Sequence, residues 1–380
     1  NDDKDYKTAA ENFYLTYLLS PTDTSFMYNA AISSSLAKDY DNALKYYNLK
    51  NFALIGASGY IAPRHLKAIK DTDNQLIAAL DRFDSVGILD RYFPNADFFT
   101  EFERFDRHIE KLKRNNITLD YLSICTPNYL HDSHIRMALR RGADAICEKP
   151  LVLNPWNVDA LEAIELETGN QIYTILQLRL HPSIIALKNK IDTQVVNQKY
   201  EVDLSYITSR GNWYHISWKG DESKSGGIAS NIGIHFYDML GWIFGKVQEV
   251  QVHLREERRA SGYIEFEKAR VRWFLSIDEN DLPNDIKTKG QRTFRSITIN
   301  EKEIEFSDGF TELHTESYKN ILDGNGFGLA DARPSVEIAH SIRNSEIVPN
   351  VTVENAGEGI NTTNSPSSDR ILAIPFPPKA

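Results

Sequence analysis

From residue 51 onwards, short apolar runs alternate with amphipathic stretches, and this alternation limits the possible fold more than any other feature of the sequence. The runs NFALIG, QLIAALD, LDYLSICTP, ADAICEKP and QIYTILQL predict strands, and APRHLKAIK, HDSHIRMALRRG and NVDALEAIELETG predict helices between them. Strands that are apolar along their whole length are buried on both faces, as in parallel sheets covered by helices. We therefore predict an α/β domain with a doubly wound parallel sheet over residues 51–177.

Beyond residue 195 the pattern changes to longer runs in which polar and apolar residues alternate: KYEVDLSYITSR, VQEVQVHLRE, SGYIEFEKARVRWFLSID and TFRSITINEKEIEFS. This alternation is typical of an antiparallel sheet with one open face. We predict a second α/β domain over residues 178–331, with a large open and mostly antiparallel sheet, and a helix over 332–347 that returns to the first domain. An open sheet face in a chain with 18 Tyr and 5 Trp favours a homo-oligomer, either a dimer or a tetramer.

The two ends of the chain differ from its middle. Within residues 1–50 a pattern recurs at an offset of 34, the period of the tetratricopeptide repeat. The residues that recur are Asp5, Tyr6, Ala9 and Phe13, which match Asp39, Tyr40, Ala43 and Tyr47. We predict a short all-helical extension that resembles a fragment of such repeats, and a generic amphipathic extension is the alternative. Residues 349–380 are rich in Gly, Asn, Ser and Thr and are predicted to form a polar tail.

Charge and cysteine content exclude several classes of partner. The formal net charge of −10 argues against nucleic acid and anionic membranes, because clustered Lys and Arg hold phosphate groups. Cys125 and Cys147 lie in apolar runs, and their spacing matches no zinc or redox motif, so we predict buried thiols and no metal site. The sequence shows no long uncharged apolar run, so we predict a cytoplasmic protein with a small-molecule substrate.

A glycine turn follows the first predicted strand and opens the first predicted helix, at residues 56–62 (GASGYIA). Gly56 permits a tight turn, Gly59 allows the backbone to approach a pyrophosphate, and the small Ala62 allows close helix packing. The N-terminus of the helix adds free N–H groups and a positive dipole end. We predict a dinucleotide site in a Rossmann-type domain, with cofactor contacts from Gly56, Ser58, Gly59, Tyr60 and Ile61.

An acidic residue at the end of the next apolar run supports the same interpretation. Asp81 follows the glycine turn by about 20 residues, where a carboxylate binds the hydroxyl groups of the adenosine ribose. A carboxylate there repels a 2′-phosphate, so NAD is favoured over NADP. Asp84, three residues later, is a second candidate for the same role.

Two later strand ends carry polar motifs, CTPNYLH at residues 125–131 and the tripeptide Glu148-Lys149-Pro150. In open α/β sheets, ligands bind beyond the carboxyl ends of the strands, so both motifs are expected to face the nicotinamide. The expected cofactor contacts here are Thr126, Pro127, Asn128, His131, Glu148 and Lys149.

In this order, the strand, glycine turn, acid, TPN-xx-H and EKP resemble the Gfo/Idh/MocA oxidoreductase family, over residues 51–348. Residues 226–238, GGIASNIGIHFYD, are similar to the family's second signature, a glycine pair followed by D-x-G-x-H-x-x-D. Asn231 replaces the first aspartate of that signature and cannot act as a base. The resemblance implies a two-domain, NAD-dependent sugar dehydrogenase.

Oxidation of a secondary alcohol moves a hydride to nicotinamide and a proton to a base whose pKa lies near neutrality. A desolvated lysine or a histidine meets that requirement. We therefore predict Lys149 and His235 as the catalytic pair, and the sequence leaves open which of them is the base. A solvated lysine and a buried core histidine are the structural alternatives.

Within the family the chain resembles the WlbA type, the UDP-N-acetyl-2-amino-2-deoxyglucuronate 3-dehydrogenases. The stretches SICTPNYLH, EKPLV, ILQLRLHPSIIALK and NIGIHFYDML carry the resemblance. It implies NAD-dependent oxidation of the sugar C3 hydroxyl in the synthesis of diamino-uronic acid units of bacterial surface polysaccharide. A dehydrogenase of a free sugar or polyol such as inositol, and a non-catalytic NAD-binding sensor, are the alternatives.

Several polar residues are candidates for binding such a substrate. A planar guanidinium pairs well with a carboxylate or a diphosphate, so Arg179 and Arg210 are expected to bind the acidic groups. Packing at a sheet edge is the alternative for Arg210. The further predicted substrate contacts are Lys149, Tyr206, Asn231 and His235.

Overall fold

The structure, a computed structural model, describes residues 8–12, 29–33, 49–194, 198–304 and 312–348. The repeat predicted within residues 1–50 lies outside the described residues except for helical segments at 8–12 and 29–33. The polar tail predicted over 349–380 also lies outside them. Among the described residues, no helix is long and apolar enough to cross a membrane.

The first sheet has six strands, and all of its neighbouring strands are parallel. The strands are β1 (Asn51–Ile55), β2 (Gln75–Leu80), β3 (Asp97–Phe99), β4 (Tyr121–Ile124), β5 (Asp144–Cys147) and β6 (Ile172–Thr174). Their order is β3-β2-β1-β4-β5-β6, so the chain reverses its direction of winding between β1 and β4. In such a sheet the carboxyl ends of the strands open a crevice at this point. The predicted Rossmann sheet is confirmed.

Helices connect these strands: α1 (Ala62–Asp71), α2 (Ile88–Tyr92), α3 (Phe102–Arg114), α4 (His131–Arg141) and α5 (Pro155–Thr168). Strands β1 and β2 are buried at every residue, as their apolar sequences predict. The sequence analysis did not identify β3, whose three residues are exposed or only partly buried. An apolar run that short carries too weak a pattern to be recognised.

The second sheet also has six strands: β7 (Tyr200–Thr208), β8 (Val247–Arg255), β9 (Arg259–Phe266), β10 (Ala269–Ser276), β11 (Thr293–Ile299) and β12 (Lys302–Glu303). Their order is β12-β11-β7-β10-β9-β8, and all neighbours are antiparallel except β7 and β10, which are parallel. This confirms the predicted mostly antiparallel sheet. The single alternating run SGYIEFEKARVRWFLSID folds as two paired strands, β9 and β10.

The remaining helices are α6 (Pro182–Thr193), α7 (Asn212–Ile216), α8 (Glu222–Ser225), α9 (Ile234–Phe244), α10 (Asn284–Thr288), α11 (Leu313–Leu322) and α12 (Leu329–Asn344). Helix α9 covers one face of the second sheet through ring contacts such as Tyr237 with Trp273 at 5.8 Å. Helix α12 contacts α9 and β8 on one side and α5 and β6 on the other, so it joins the two sheets. The segment predicted to return to the first domain is therefore this helix.

Candidate active site

The glycine turn after β1 has the geometry that a dinucleotide requires. Gly56 has a φ of +93°, and a Cβ on it would lie 2.7 Å from the carbonyl carbon of Cys125. The amide of Gly59 donates to the carbonyl of Gly56 at 3.0 Å, which closes the turn before α1 begins. Ala62 is fully buried at the start of α1, whereas Tyr60 is 90% exposed. The turn therefore leaves bare backbone at the crevice.

Asp81 lies directly beside this turn. One carboxylate oxygen accepts the Ser58 amide at 3.0 Å, and the other accepts the Phe83 amide at 2.9 Å. Each oxygen keeps a second lone pair for a ribose hydroxyl. Asp84 is exposed and has no such contact with the turn. The glycine turn and Asp81 together fit NAD.

The TPN loop and the EKP loop are tied together by His131. One ring nitrogen lies 2.7 Å from the Pro150 carbonyl oxygen and the other lies 2.9 Å from that of Thr126. The His131 side chain is fully buried, so the predicted cofactor contact is wrong for this residue, which supports the loops instead. Asn128 donates to the carbonyl of Ser225 at 2.8 Å and so connects the TPN loop to α8. Thr126 and Pro127 remain partly exposed at the crevice.

The structure brings the predicted catalytic pair together. Lys149 Nζ donates to the backbone carbonyl of Asn231 at 3.3 Å. Asn231 lies in a π-helical turn, Ala229–Gly233, immediately before His235 in α9, and its amide donates to the Tyr214 hydroxyl at 2.7 Å. A π-turn inside a helix frequently marks a functional site. Lys149 follows a strand of the first sheet and His235 belongs to the helix on the second, and both side chains are partly exposed.

The surroundings change the protonation of both groups. Burial lowers the pKa of Lys149, the Glu148 carboxylate opposes that effect, and Arg210 adds to it. Burial and the charge of Lys149 hold the pKa of His235 well below its ordinary value. Perturbed pKa values of neighbouring groups in a crevice are typical of catalytic sites.

Two further basic side chains, Arg210 and Lys219, lie close to Lys149 and form a cluster of three with it. Burial and the charges of Lys149 and Arg210 lower the pKa of Lys219 to about 8. The Lys219 ammonium lies 4.1 Å from the ring centre of Trp218, and Arg210 Nε is buried without a hydrogen-bond partner among the described residues. Within the described ranges, none of the three cations forms an ion pair with a carboxylate. The three basic side chains therefore have no carboxylate of the described residues to neutralise them, and an anionic group would do so.

A cavity of about 290 Å³ adjoins the cluster. Its lining includes Lys219, Tyr214, Arg255 and Arg343, together with the backbone around Gly227. The same cavity contains the side chains of Glu222, Glu256 and Glu257. Lys149 is not among its lining residues, so Lys219 is the basic side chain that the cavity and the cluster share.

Arg179 does not belong to this cluster. Its guanidinium donates to both carboxylate oxygens of Asp238, at 2.7 and 3.1 Å, and to Asp331 Oδ1 at 2.9 Å. The residue is only 6% exposed. The predicted substrate contact is therefore wrong for Arg179, because its hydrogen bonds already hold α9 and α12 together. Tyr206 packs on Phe236, with ring centres 4.9 Å apart, next to His235.

Glu148 also lies elsewhere than predicted. It is 6% exposed, and its Oε1 accepts hydrogen bonds from His65 at 3.0 Å and from His314 at 2.9 Å. The predicted cofactor contact is wrong for this side chain, which lies beneath the loop that carries Lys149. The sequence analysis missed His65 and His314, because the two residues are far apart in the chain and match no motif. The side chains of His65, Glu148 and His314 each offer one atom that could bind a metal ion, and these three atoms lie within 4.8 Å of one another.

Comparisons with known proteins agree with this geometry. A family model described as an oxidoreductase family with an NAD-binding Rossmann fold, GFO_IDH_MocA, matches residues 50–175. The model of the same family's C-terminal α/β domain matches residues 188–281.

Among solved structures, two of the WlbA (WbpB) dehydrogenase from Thermus thermophilus are similar to this chain. In complex with NAD and alpha-ketoglutarate it is 50% identical, with a TM-score of 0.77, over 79% of this chain and 97% of that one. In complex with NAD and UDP-GlcNAcA it is 49% identical, with the same TM-score and coverage.

The curated relatives are more distant. The inositol 2-dehydrogenase of Rhizobium meliloti is 28% identical over 206 residues, 51% of this chain and 55% of that protein. The glucose-6-phosphate 3-dehydrogenase of Bacillus subtilis is 22% identical over 209 residues, 52% of this chain and 54% of that protein. The chain thus matches about half the length of these two relatives.

Proposed function

The chain belongs to the Gfo/Idh/MocA oxidoreductase family, and on that premise we propose that it uses NAD to oxidise the C3 hydroxyl of UDP-linked N-acetylglucosaminuronic acid (UDP-GlcNAcA). The product is the 3-keto sugar, a precursor of diamino-uronic acid units in bacterial surface polysaccharide such as lipopolysaccharide. The reaction takes place in the cytoplasm, and the chain acts as a homo-oligomer through its open sheet. The substrate found with the Thermus thermophilus dehydrogenase supports the nucleotide sugar.

The observation that carries the proposal is the group of three basic side chains, Lys149, Arg210 and Lys219, none of which forms an ion pair with a carboxylate within 4 Å among the described residues. Burying like charges together is costly unless an anion joins them. UDP-GlcNAcA carries a carboxylate and a diphosphate, so it supplies that anion, whereas a neutral polyol does not. The adjoining cavity of about 290 Å³ provides space for part of the nucleotide.

Oxidation at C3 requires a base at the sugar hydroxyl. Bound NAD supplies the hydride acceptor. Lys149 is the base that accepts the proton of the C3 hydroxyl, because burial and the charge of Arg210 lower its pKa, and a general base acts best when its pKa is near neutrality. His235, whose pKa lies well below its ordinary value, remains neutral and orients the hydroxyl. Asn231 holds the Lys149 side chain through its backbone carbonyl.

Two alternatives are less well supported. A free polyol is favoured by the inositol 2-dehydrogenase relative, but it would bring no anion to the three basic side chains. A non-catalytic NAD sensor needs neither Lys149 nor His235, yet both side chains reach the same crevice.

The test is NADH formation on mixing the chain with NAD and one of three sugars: UDP-GlcNAcA, UDP-N-acetylglucosamine or myo-inositol. We expect rapid formation only with the first, because it alone carries the uronic carboxylate. Lys149→Met should lower the rate by about 10²–10⁴-fold, the usual contribution of a general base. Arg210→Ala should raise KM for UDP-GlcNAcA, and the surface variant Lys199→Met should match the wild type.

Absence of NADH even in a single turnover would contradict the enzymatic proposal. Faster oxidation of myo-inositol than of UDP-GlcNAcA would favour the polyol alternative. Adding 2-oxoglutarate, the acid found with NAD in the Thermus thermophilus structure, asks whether NADH is reoxidised in place, since turnover would then continue beyond the supplied NAD.

A further inference from the structure

A chain of buried polar side chains lies beneath the loop that carries Lys149. Ser123 Oγ and the Tyr318 hydroxyl are 2.6 Å apart, and that hydroxyl is 2.7 Å from His65 Nδ1. His65 Nε2 and His314 Nε2 then both contact Glu148 Oε1, at 3.0 and 2.9 Å. All five residues are less than 9% exposed. They come from α1, α11 and the ends of β4 and β5, and we call them the Glu148 cluster.

The hydrogen bonds of the cluster are consistent with a carboxylate at Glu148. Each imidazole then donates its Nε2–H to it, and the His65 ring is neutral because burial lowers its pKa. His65 Nδ1 then accepts from Tyr318, whose oxygen accepts from Ser123. Two buried N–H donors on Oε1 favour the carboxylate, because a hydrogen bond to an ionised acceptor is stronger than one to a neutral acid.

We propose that His65 and His314 hold Glu148 as an anion beneath the active site and thereby set the protonation of the Lys149–His235 pair. The backbone supports this, because Glu148 directly precedes Lys149 and its Oε2 accepts the Lys149 amide at 3.3 Å. His65 and His314 are thus positioning residues that act through Glu148. The inference rests on the proposed dehydrogenase function of this site.

The direction of the effect follows from charge. Burial alone would raise the pKa of Glu148, but the hydrogen bonds from His314 and His65 outweigh it and hold that pKa well below the ordinary value. The resulting negative charge raises the pKa values of Lys149 and His235, against the lowering caused by burial. Loss of the anion should therefore lower the pKa of Lys149 further.

Few other titratable groups lie close enough to Glu148 to change its charge or its effect on the pKa of Lys149. Besides the two histidines and Lys149, the titratable groups that face Glu148 are Cys125, His131, Cys147, Lys219, His235 and Tyr318. Burial raises the pKa values of both thiols and of the Tyr318 phenol, so these three stay neutral. Of the groups the structure describes around Lys149, Glu148 is the carboxylate whose field reaches it.

His65, Glu148 and His314 could also bind a metal ion, through two imidazole nitrogens and a carboxylate oxygen that lie within 4.8 Å of one another. The hydrogen-bond interpretation is favoured because the Nε2–Oε1 distances of 2.9 and 3.0 Å are ordinary for N–H···O bonds. Metal binding at these residues would contradict the proposal, and the chelator experiment described below tests for it.

The experiment is the pH profile of kcat/KM, measured with whichever sugar the wild-type chain oxidises. The profile should fall on the acid side as Lys149 becomes protonated. Glu148→Gln should move that limb to lower pH by about one unit, the size expected when a close opposite charge is removed. His314→Leu should move it in the same direction by less. His314→Gln should restore it, because the amide can donate from nearly the same position as Nε2.

His340→Leu, on α12 and outside the Glu148 cluster, is the matched control and should leave the limb unmoved. A cluster that serves only stability would lower activity equally at all pH values in these variants, and that result would overturn the proposal.

A second measurement needs no activity, so it separates this inference from the proposed function. In NMR spectra of the wild type with isotope-labelled histidine, the His65 ring should be neutral throughout the neutral pH range, and both His65 and His314 should carry a hydrogen-bonded proton on Nε2. An imidazolium at His65, an Nε2 without a proton at either histidine, a protonated Glu148, or ring signals that change when a chelator is added would overturn it. If no sugar is oxidised but the rings behave as expected, only the proposed function fails.

Discussion

At the scale of single residues, the charged side chains divide into those that hold the fold and those left for a ligand. Arg179 and Arg210 look alike in sequence, yet Arg179 is bound by Asp238 and Asp331, while Arg210 Nε has no partner among the described residues. A buried guanidinium with two carboxylates is satisfied by the protein itself. Lys149 and His235 were predicted from their motifs, and the structure places them together.

The different role of Arg179 can be tested by stability. Arg179→Ala should lower the free energy of unfolding by about 3–5 kcal/mol, because it leaves the buried Asp238 carboxylate uncompensated. The matched change is Arg333→Ala, which removes a surface ion pair with Asp159 and should cost less than about 1 kcal/mol. Urea unfolding measures both. Unchanged stability of Arg179→Ala with a raised KM for UDP-GlcNAcA would restore the original sequence-based role.

At the scale of elements, the unit β1–turn–α1 is the most predictable part of the molecule. Its strand, glycine turn and helix are consecutive in the chain, so local sequence specifies all of them. The turn needs glycine for two reasons, a positive φ at Gly56 and the close approach of Cys125. Strand β3 and the parallel pairing of β7 with β10 were not predicted, since neither follows from a local pattern.

These two reasons can be separated by a pair of variants. Gly169 also has a positive φ, +74°, but nothing lies within 4 Å of a Cβ built there. Gly169→Ala should therefore show only the backbone cost of about 1–2 kcal/mol and leave the Kd for NAD unchanged. Gly56→Ala adds a clash with backbone and should weaken NAD binding about tenfold or more, by roughly 1.4 kcal/mol. Calorimetric titration with NAD measures this, and equal Kd values for the two variants would contradict it.

At the scale of the whole molecule, buried neutral histidines make stability depend on pH. Burial lowers the pKa of His65, and burial together with His131 lowers that of His134 to about 4. A group whose pKa is depressed by folding contributes stability above its unfolded pKa, near 6.5 for histidine, and loses it as the pH falls. The chain should therefore be most stable above about pH 6.5.

For His134 the loss between pH 7.5 and pH 5 should be about 2 kcal/mol, because the unfolded state takes up a proton that the folded state does not. His134→Asn places a polar atom near the position of Nδ1, which contacts Thr126, but cannot titrate, so its unfolding free energy should fall by about 2 kcal/mol less over the same range. Urea unfolding at the two pH values measures the difference. The same pH dependence in wild type and variant would refute the assignment.

The sequence by itself determined the two sheets and the glycine turn that Asp81 adjoins, and it singled out Lys149 and His235, which the structure places close together. Each of these depends on a period or a motif within a short stretch of chain, where local sterics and burial decide the outcome.

Only the tertiary structure decided which polar residues are already satisfied. The sequence predicts that the side chains of His131, Glu148 and Arg179 contact the cofactor or the substrate. In the structure His131 contacts two backbone carbonyls, Glu148 two histidines, and Arg179 two aspartates. His65 and His314, which hold Glu148, are brought together by the packing of α1 against α11. Such contacts join residues far apart in the chain, and no local period records them, because burial and hydrogen-bond geometry arise only when the elements pack.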